Sequence, residues 1–93
     1  MIHEVLLKGE QNAQTGNALC ALLGISIRDV TAIIEKERRA GFPICASTGG
    51  LPGYFLAENK EEMERYCRSL QKRAGEIHKT RRACLATIDQ LPE

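Results

Sequence analysis

Ser26, Ile27, Arg28 and Thr31 stand at the front of a segment with helical spacing, and Glu35, Lys36 and Arg39 follow them. On the N-terminal half of a helix, groups of this kind read base edges. An Arg at position 28 can bridge O6 and N7 of guanine, and Thr31 can meet a phosphate, a base edge or a thymine methyl. Ser26 can cap the helix and also donate to a phosphate. Lys36, Arg38 and Arg39 are placed to hold a phosphate backbone beside the groove. Glu35 and Glu37 are interleaved with them, and the plainer reading of that run is a solvated helix end. Further on, Ser47, Thr48 and the backbone amides around Gly49 and Gly50 add hydrogen-bond donors without charge. This is the chemistry of recognising a polyanion rather than of breaking bonds.

Other chemistry finds little footing. No serine, cysteine or threonine sits in a nucleophile-elbow pattern. The run Gly49-Gly50-Leu51-Pro52-Gly53 lacks the following Lys-Ser or Lys-Thr of a phosphate-binding loop. Cys20, Cys45, Cys67 and Cys84 are widely spaced with no C-x-x-C pair, and His3 and His78 stand alone. Zinc sites usually draw ligands from close pairs, so no metal is expected. The cysteines are read as free and mostly buried, behaving as small hydrophobes. No cofactor and no enzymatic activity are expected.

The elements that must position the candidate residues follow from spacing and punctuation. Ile2 to Lys8 reads as a short first helix, with Ile2, Val5 and Leu6 on one side and Gly9 at its end. Residues 9–16 are polar and turn-prone. Thr15 is placed to cap a second helix over Asn17 to Leu23, which Gly24 ends in the left-handed conformation. Ser26, with Asp29 three residues on, starts a third helix over about 27–40. Val30, Ile33 and Ile34 face inward, Glu37 and Arg38 begin the polar end, and Gly41 stops it. Pro43 to Ala46 and Tyr54 to Leu56 flank a turn-rich tip and read as a hairpin, with Ile44 inward.

Asn59 then caps a long helix running from Lys60 to about Gln90, interrupted only by Gly75 and closed by Pro92. Met63, Leu70, Ile77, Cys84 and Leu91 recur every seven residues, with Tyr66, Cys67, Ala74 and Ile88 beside them. A heptad of this kind makes a seam for a partner helix, although Arg73, Thr80, Arg81 and Thr87 interrupt it. Self-pairing through Leu70, Ile77, Cys84, Ile88 and Leu91 is the expectation, because two-fold dimers dominate small assemblies. Packing back on the body or docking on another protein are the other readings.

Ninety-three residues with a net charge of +1 form one small domain or a domain with an appendage. No apolar run is long enough to span a bilayer and no signal peptide is apparent, so a cytoplasmic protein is expected. The near balance of acids and bases means that affinity for DNA must come from local clustering.

From Leu22 to Leu56 the chain resembles the winged helix-turn-helix DNA-binding domains of bacterial and phage regulators, of the biotin-operon-repressor type. LLGIS followed by IRDV matches the turn glycine and cap serine before a recognition helix. ERRAGFPI and GGLPGYFLA match the passage into the wing and its return. The resemblance implies a mainly α fold with a small β-hairpin: a winged helix-turn-helix over residues 1–57, with residues 58–93 as a long C-terminal dimerisation helix. It implies sequence-specific binding of double-stranded DNA by a homodimer, with Ser26, Ile27, Arg28 and Thr31 at recognition positions and Gly49 and Gly50 in the wing. The wing tip departs from the pattern in carrying no Lys or Arg. A small transcriptional regulator is the expected role. A phage or mobile-element replication accessory protein and a protein-interaction adaptor on a winged-helix scaffold are the alternatives.

Overall fold

The computed structural model describes residues 1–47 and 52–92. Its helices are α1 (Gly16–Leu23), α2 (Ile27–Arg39) and α3 (Lys60–Leu85). Strands β1 (Ile44–Ala46) and β2 (Tyr54–Leu56) lie between α2 and α3. Short 3-10 turns occupy Ile2–Glu4, Glu10–Asn12 and Ile88–Gln90. The chain is thus mainly helical, with a small antiparallel sheet.

Each helix starts where a side-chain oxygen takes up a free backbone N–H. The side chains of Thr15, Ser26 and Asn59 accept from Ala18, Asp29 and Glu62 at 3.0, 3.1 and 3.0 Å. Such caps contribute about 1 kcal/mol each. Gly24 ends α1 at φ 67° and ψ 34°, and its N–H reaches the Cys20 carbonyl at 2.8 Å. A side chain is strained in that left-handed region, so glycine suits the position. The turn that follows is only Gly24-Ile25-Ser26, and across it α1 and α2 are bent by 99°.

In the hairpin, Ile44 lies opposite Leu56, Cys45 opposite Phe55 and Ala46 opposite Tyr54. The outer edge of β2 is also used. Gln14 and Tyr54 exchange two hydrogen bonds, while Leu56 donates to Leu7 and accepts from Gly9. The expected helix from Ile2 to Lys8 is therefore not formed. Only Ile2–Glu4 turns, because the backbone of Leu7 and Gly9 is committed to β2 and a helix this short is marginal alone. Ile2 and Leu6 are still buried, so the apolar spacing marked the core without marking a helix.

One core cluster joins Ile2, Leu6, Leu19, Val30, Ile34 and Ile44. A second joins Cys45, Phe55 and Tyr66, with Met63 packed against it, and fastens the start of α3 to the hairpin. Beyond Tyr66 the rest of α3 is exposed apart from half-buried Ser69. The helix passes through Gly75 without interruption and ends at Leu85, short of the expected Gln90. There the Thr87 hydroxyl takes the Cys84 carbonyl at 2.7 Å, and a 3-10 turn replaces the α-helix.

All four cysteines are free, but only Cys45 is buried. Cys20 is half-buried, while Cys67 and Cys84 are exposed, which corrects the expectation of mostly buried thiols. Among the described residues, no single helix is long and apolar enough to cross a membrane.

Candidate nucleic-acid interface

Helix α2 turns one face inward and leaves the other open. Val30 and Ile34 are buried and Ile33 half-buried, while Arg28, Ala32, Glu35, Lys36 and Arg39 are exposed. These five lie at three- and four-residue spacings, so they line one stripe of the helix. Arg28 makes no ion pair among the described residues. Ser26 and Thr31 are exposed, but their oxygens already have local work. Ser26 caps α2, and the Thr31 hydroxyl donates to the Ile27 carbonyl at 3.0 Å. The Thr31 methyl remains available for an apolar contact.

Ile27 is half exposed and sits at the edge between α2 and the hairpin. It lines an open groove of about 420 Å³ with the start of α1 (Thr15, Gly16, Asn17) and the hairpin base, which includes Ser47 and Tyr54. A Cβ on Gly16 would lie 2.5 Å from the Ile27 Cδ1, so the end of that side chain would have to move aside for any larger residue. Ser47 is thus next to the front of α2, its N–H bonded to the Gly53 carbonyl at 2.9 Å. Thr48, Gly49 and Gly50 lie outside the described residues.

The basic run at the end of α2 divides by role. Arg39 is exposed and pairs with Glu35 at 3.6 Å. Glu35 also reaches Arg38 at 3.9 Å. Exposed pairs of this kind are worth about 0.3–0.5 kcal/mol and break cheaply when a phosphate competes. Lys36 is exposed. Arg38 is half-buried and turns toward the body, not into a solvated helix end. Its Nε donates to the Ile44 carbonyl at 2.9 Å, and its guanidinium lies 4.7 Å from the centre of the Tyr66 ring.

Glu37, read from sequence as part of the polar end, is instead buried. Its carboxylate accepts from the N–H groups of Ile2 and His3 at 3.1 Å each, from the Met1 ammonium at 2.9 Å, and bonds the His3 ring. The His3 ring in turn stacks on Phe42 at 3.7 Å. Burial pushes the Glu37 carboxyl up, but the ammonium, the backbone N–H and His3 outweigh it and hold its pKa below the usual value. The signal was present in the spacing. Glu37 follows Val30 by seven residues and Ile34 by three, which places it on the apolar face.

The other expected site residues lie on α3 and the segment after it. Leu70, Ile77 and Cys84 are exposed along α3, and Ile88 and Leu91 are exposed on the terminal turn and just beyond it. No protein-family model matches the chain, and no curated protein or solved structure does either.

Proposed function

We propose that the chain is a winged helix-turn-helix protein that binds duplex DNA sequence-specifically and acts as a small, non-catalytic transcriptional regulator. The observation that carries this reading is the 99° bend between α1 and α2 across a three-residue turn, with the outer stripe of α2 left uncovered. Helix-turn-helix units join their helices at about 90–120° through a short turn that often contains glycine. In that arrangement the second helix enters the major groove by its N-terminal residues. Here that end presents Arg28 to a guanine edge, with Ile27 and the Thr31 methyl for apolar contact. Lys36 and Arg39 meet phosphates farther along. The hairpin base beside Ile27 supports its use as a wing, with Ser47 an uncharged donor next to the front of α2.

Fluorescence anisotropy of a labelled mixed-sequence duplex tests the reading. Wild type should bind with an affinity that falls steeply with salt, because each neutralised phosphate releases counterions. Arg28→Ala should weaken binding about tenfold, the loss of one good base contact at roughly 1–3 kcal/mol. No binding by wild type at low salt overturns it. A second reading, a protein-interaction adaptor, draws support from the Glu35–Arg39 pair that quiets the charge of α2. Binding to a protein partner that ignores salt, with none to DNA, would favour it.

A further inference from the structure

The charges of this chain are not spread evenly. From Cys67 to Leu85, beyond the buried Tyr66, α3 carries Arg68, Lys72, Arg73, Lys79, Arg81 and Arg82 against the single acid Glu76. That is six of the chain's thirteen cations and one of its twelve acids, so the stretch has a net charge of +5 and the remainder −4. The near balance of the whole chain hides this division. All six cations are exposed. Lys79 pairs with Glu76 at 3.4 Å, and the other five make no ion pair among the described residues.

We propose that this half of α3 is a second DNA-binding element, which lies along a groove of the duplex next to the site read by α2 and is held by phosphates on both its flanks. It adds affinity without reading sequence. The inference rests on the DNA-binding reading for the identity of the polyanion, and on the charges of α3 for the contact.

Three features point to a duplex. The first is where the cations stand. Arg68, Lys72, Lys79 and Arg82 follow at spacings of four, seven and three, so they form one ridge. Arg73 and Arg81 stand round the other side, beside Leu70 and Ile77. A duplex groove is walled by phosphates and admits a helix, so it meets cations on both flanks. A flat acidic protein face would engage the ridge alone and leave the other two cations in water. A bilayer would bury the side that holds Leu70 and Ile77, and with it Arg73 and Arg81. The stretch also has no Trp, Phe or Tyr to anchor it at a membrane.

The second feature is repulsion within the helix. Arg68 and Lys72 are four residues apart, and Lys79 and Arg82 three. Like charges at those spacings oppose helix formation. A phosphate seated between each pair turns that opposition into attraction. The third feature is reach. At 1.5 Å per residue the stretch is roughly 27 Å long, the length of about eight base-pair steps. It leaves the body at Tyr66, whose ring centre lies 4.7 Å from the guanidinium of Arg38 on α2. The charged helix therefore starts beside the element that carries Arg28.

Salt titrations of the full chain on a labelled mixed-sequence duplex test it. A variant combining Arg68→Gln, Lys72→Gln, Lys79→Gln and Arg82→Gln removes the ridge and keeps side chains that form helix well. Its plot of log affinity against log salt should be shallower than that of wild type by about 3 to 4, since each phosphate contact contributes about 0.9. Its affinity at 0.1 M salt should fall roughly a hundredfold or more. Its circular dichroism should match wild type, because none of the four residues is buried. Arg68→Lys with Arg82→Lys should keep the wild-type slope, since the contact needs the charge and not the planar fork. A wild-type slope in the fourfold glutamine variant overturns the proposal and leaves the reading of α2 standing. A slope that drops in that variant, while Arg28→Ala, Lys36→Gln and Arg39→Gln bind as wild type does, upholds the proposal and overturns the reading of α2. Tighter binding of wild type to single-stranded RNA of the same length, or to phosphatidylserine vesicles, than to duplex overturns the proposal, as does a wild type that fails to bind duplex at low salt.

Discussion

The guanidinium of Arg38 lies 4.7 Å from the centre of the Tyr66 ring, while its Nε donates to the Ile44 carbonyl at 2.9 Å. One side chain on the last turns of α2 therefore reaches both β1 and α3. Tyr66 is the one buried residue of α3. The direction in which the free half of α3 leaves the body is thus coupled to the helix whose outer face carries Arg28 and Arg39. Tyr66 itself is held neutral: burial pushes its phenol up, and Arg38 offsets this only in part.

Arg38→Ala should destabilise the fold by about 1.5–3 kcal/mol, from one charge-assisted hydrogen bond and one cation–π contact. Arg38→Lys should recover only part of this, since lysine keeps the charge but not the planar fork. Arg39→Ala should stay within about 0.5 kcal/mol of wild type, as expected for an exposed residue in one weak pair. Urea denaturation of the three variants separates these outcomes. Equal losses for Arg38 and Arg39 would refute the division of roles within the basic run.

The parts of the fold that were legible in the sequence are those decided by a few neighbouring residues. Thr15, Ser26 and Asn59 each cap a helix because a short oxygen-bearing side chain reaches an N–H three positions on. Gly24 and Gly41 end helices at positive φ. The N-terminal segment misled because Ile2, Val5 and Leu6 satisfy helical spacing whether or not a helix forms. What decided the matter was the edge of β2, about fifty residues away, and no local pattern reports it. Glu37 was misread for the opposite reason. Its place on the inner face was visible, but a carboxylate there is costly unless donors are waiting, and those donors come from Ile2 and His3. At the candidate interface, Arg28 and Lys36 stand exposed on α2 as the spacing suggests. Arg38 could not be separated from Arg39 without knowing where Tyr66 falls.

Glu37 makes stability depend on acid. Its folded pKa is depressed below 4.5, so the folded state binds the proton less tightly than the unfolded chain. The stabilisation is fully present above about pH 4.5 and is lost as pH falls through the folded value. Glu37→Gln should cost about 1–3 kcal/mol at pH 7, because the amide brings an N–H against donors that need an acceptor. The variant should also lose part of the wild-type fall in stability between pH 5 and pH 3. Urea midpoints across that range check both. A variant whose acid profile follows wild type would show that other carboxylates carry the effect.

Gly24→Ala should destabilise by about 1–2 kcal/mol although open space surrounds the position, since a Cβ there would meet nothing within 4 Å. The cost lies in the backbone, at φ 67°. Gly24→Asn should cost less, because asparagine tolerates the left-handed region better than other residues do. Thermal melts of both variants give the order. A harmless Gly24→Ala would mean that the turn between α1 and α2 can re-form in another conformation, and the 99° bend would lose its main support.

Glu35 offers the sharpest test of what the outer face of α2 is for. Its carboxylate lies 3.6 Å from Arg39 and 3.9 Å from Arg38, so in the free protein it holds a cation that a phosphate would need. If DNA lies along this stripe, the acid opposes binding twice, by repelling the phosphates and by competing for Arg39. Glu35→Gln should then raise affinity for mixed-sequence duplex by roughly threefold to tenfold at low salt, with the gain shrinking as salt rises. The fold should be unaffected, because an exposed pair contributes little stability. Titrations of wild type and Glu35→Gln at two salt concentrations decide it. A lower affinity in the variant, confined to particular sequences, would instead make Glu35 a reader that accepts from cytosine N4. No change at any salt would place DNA away from this face and turn attention to a protein partner for α2.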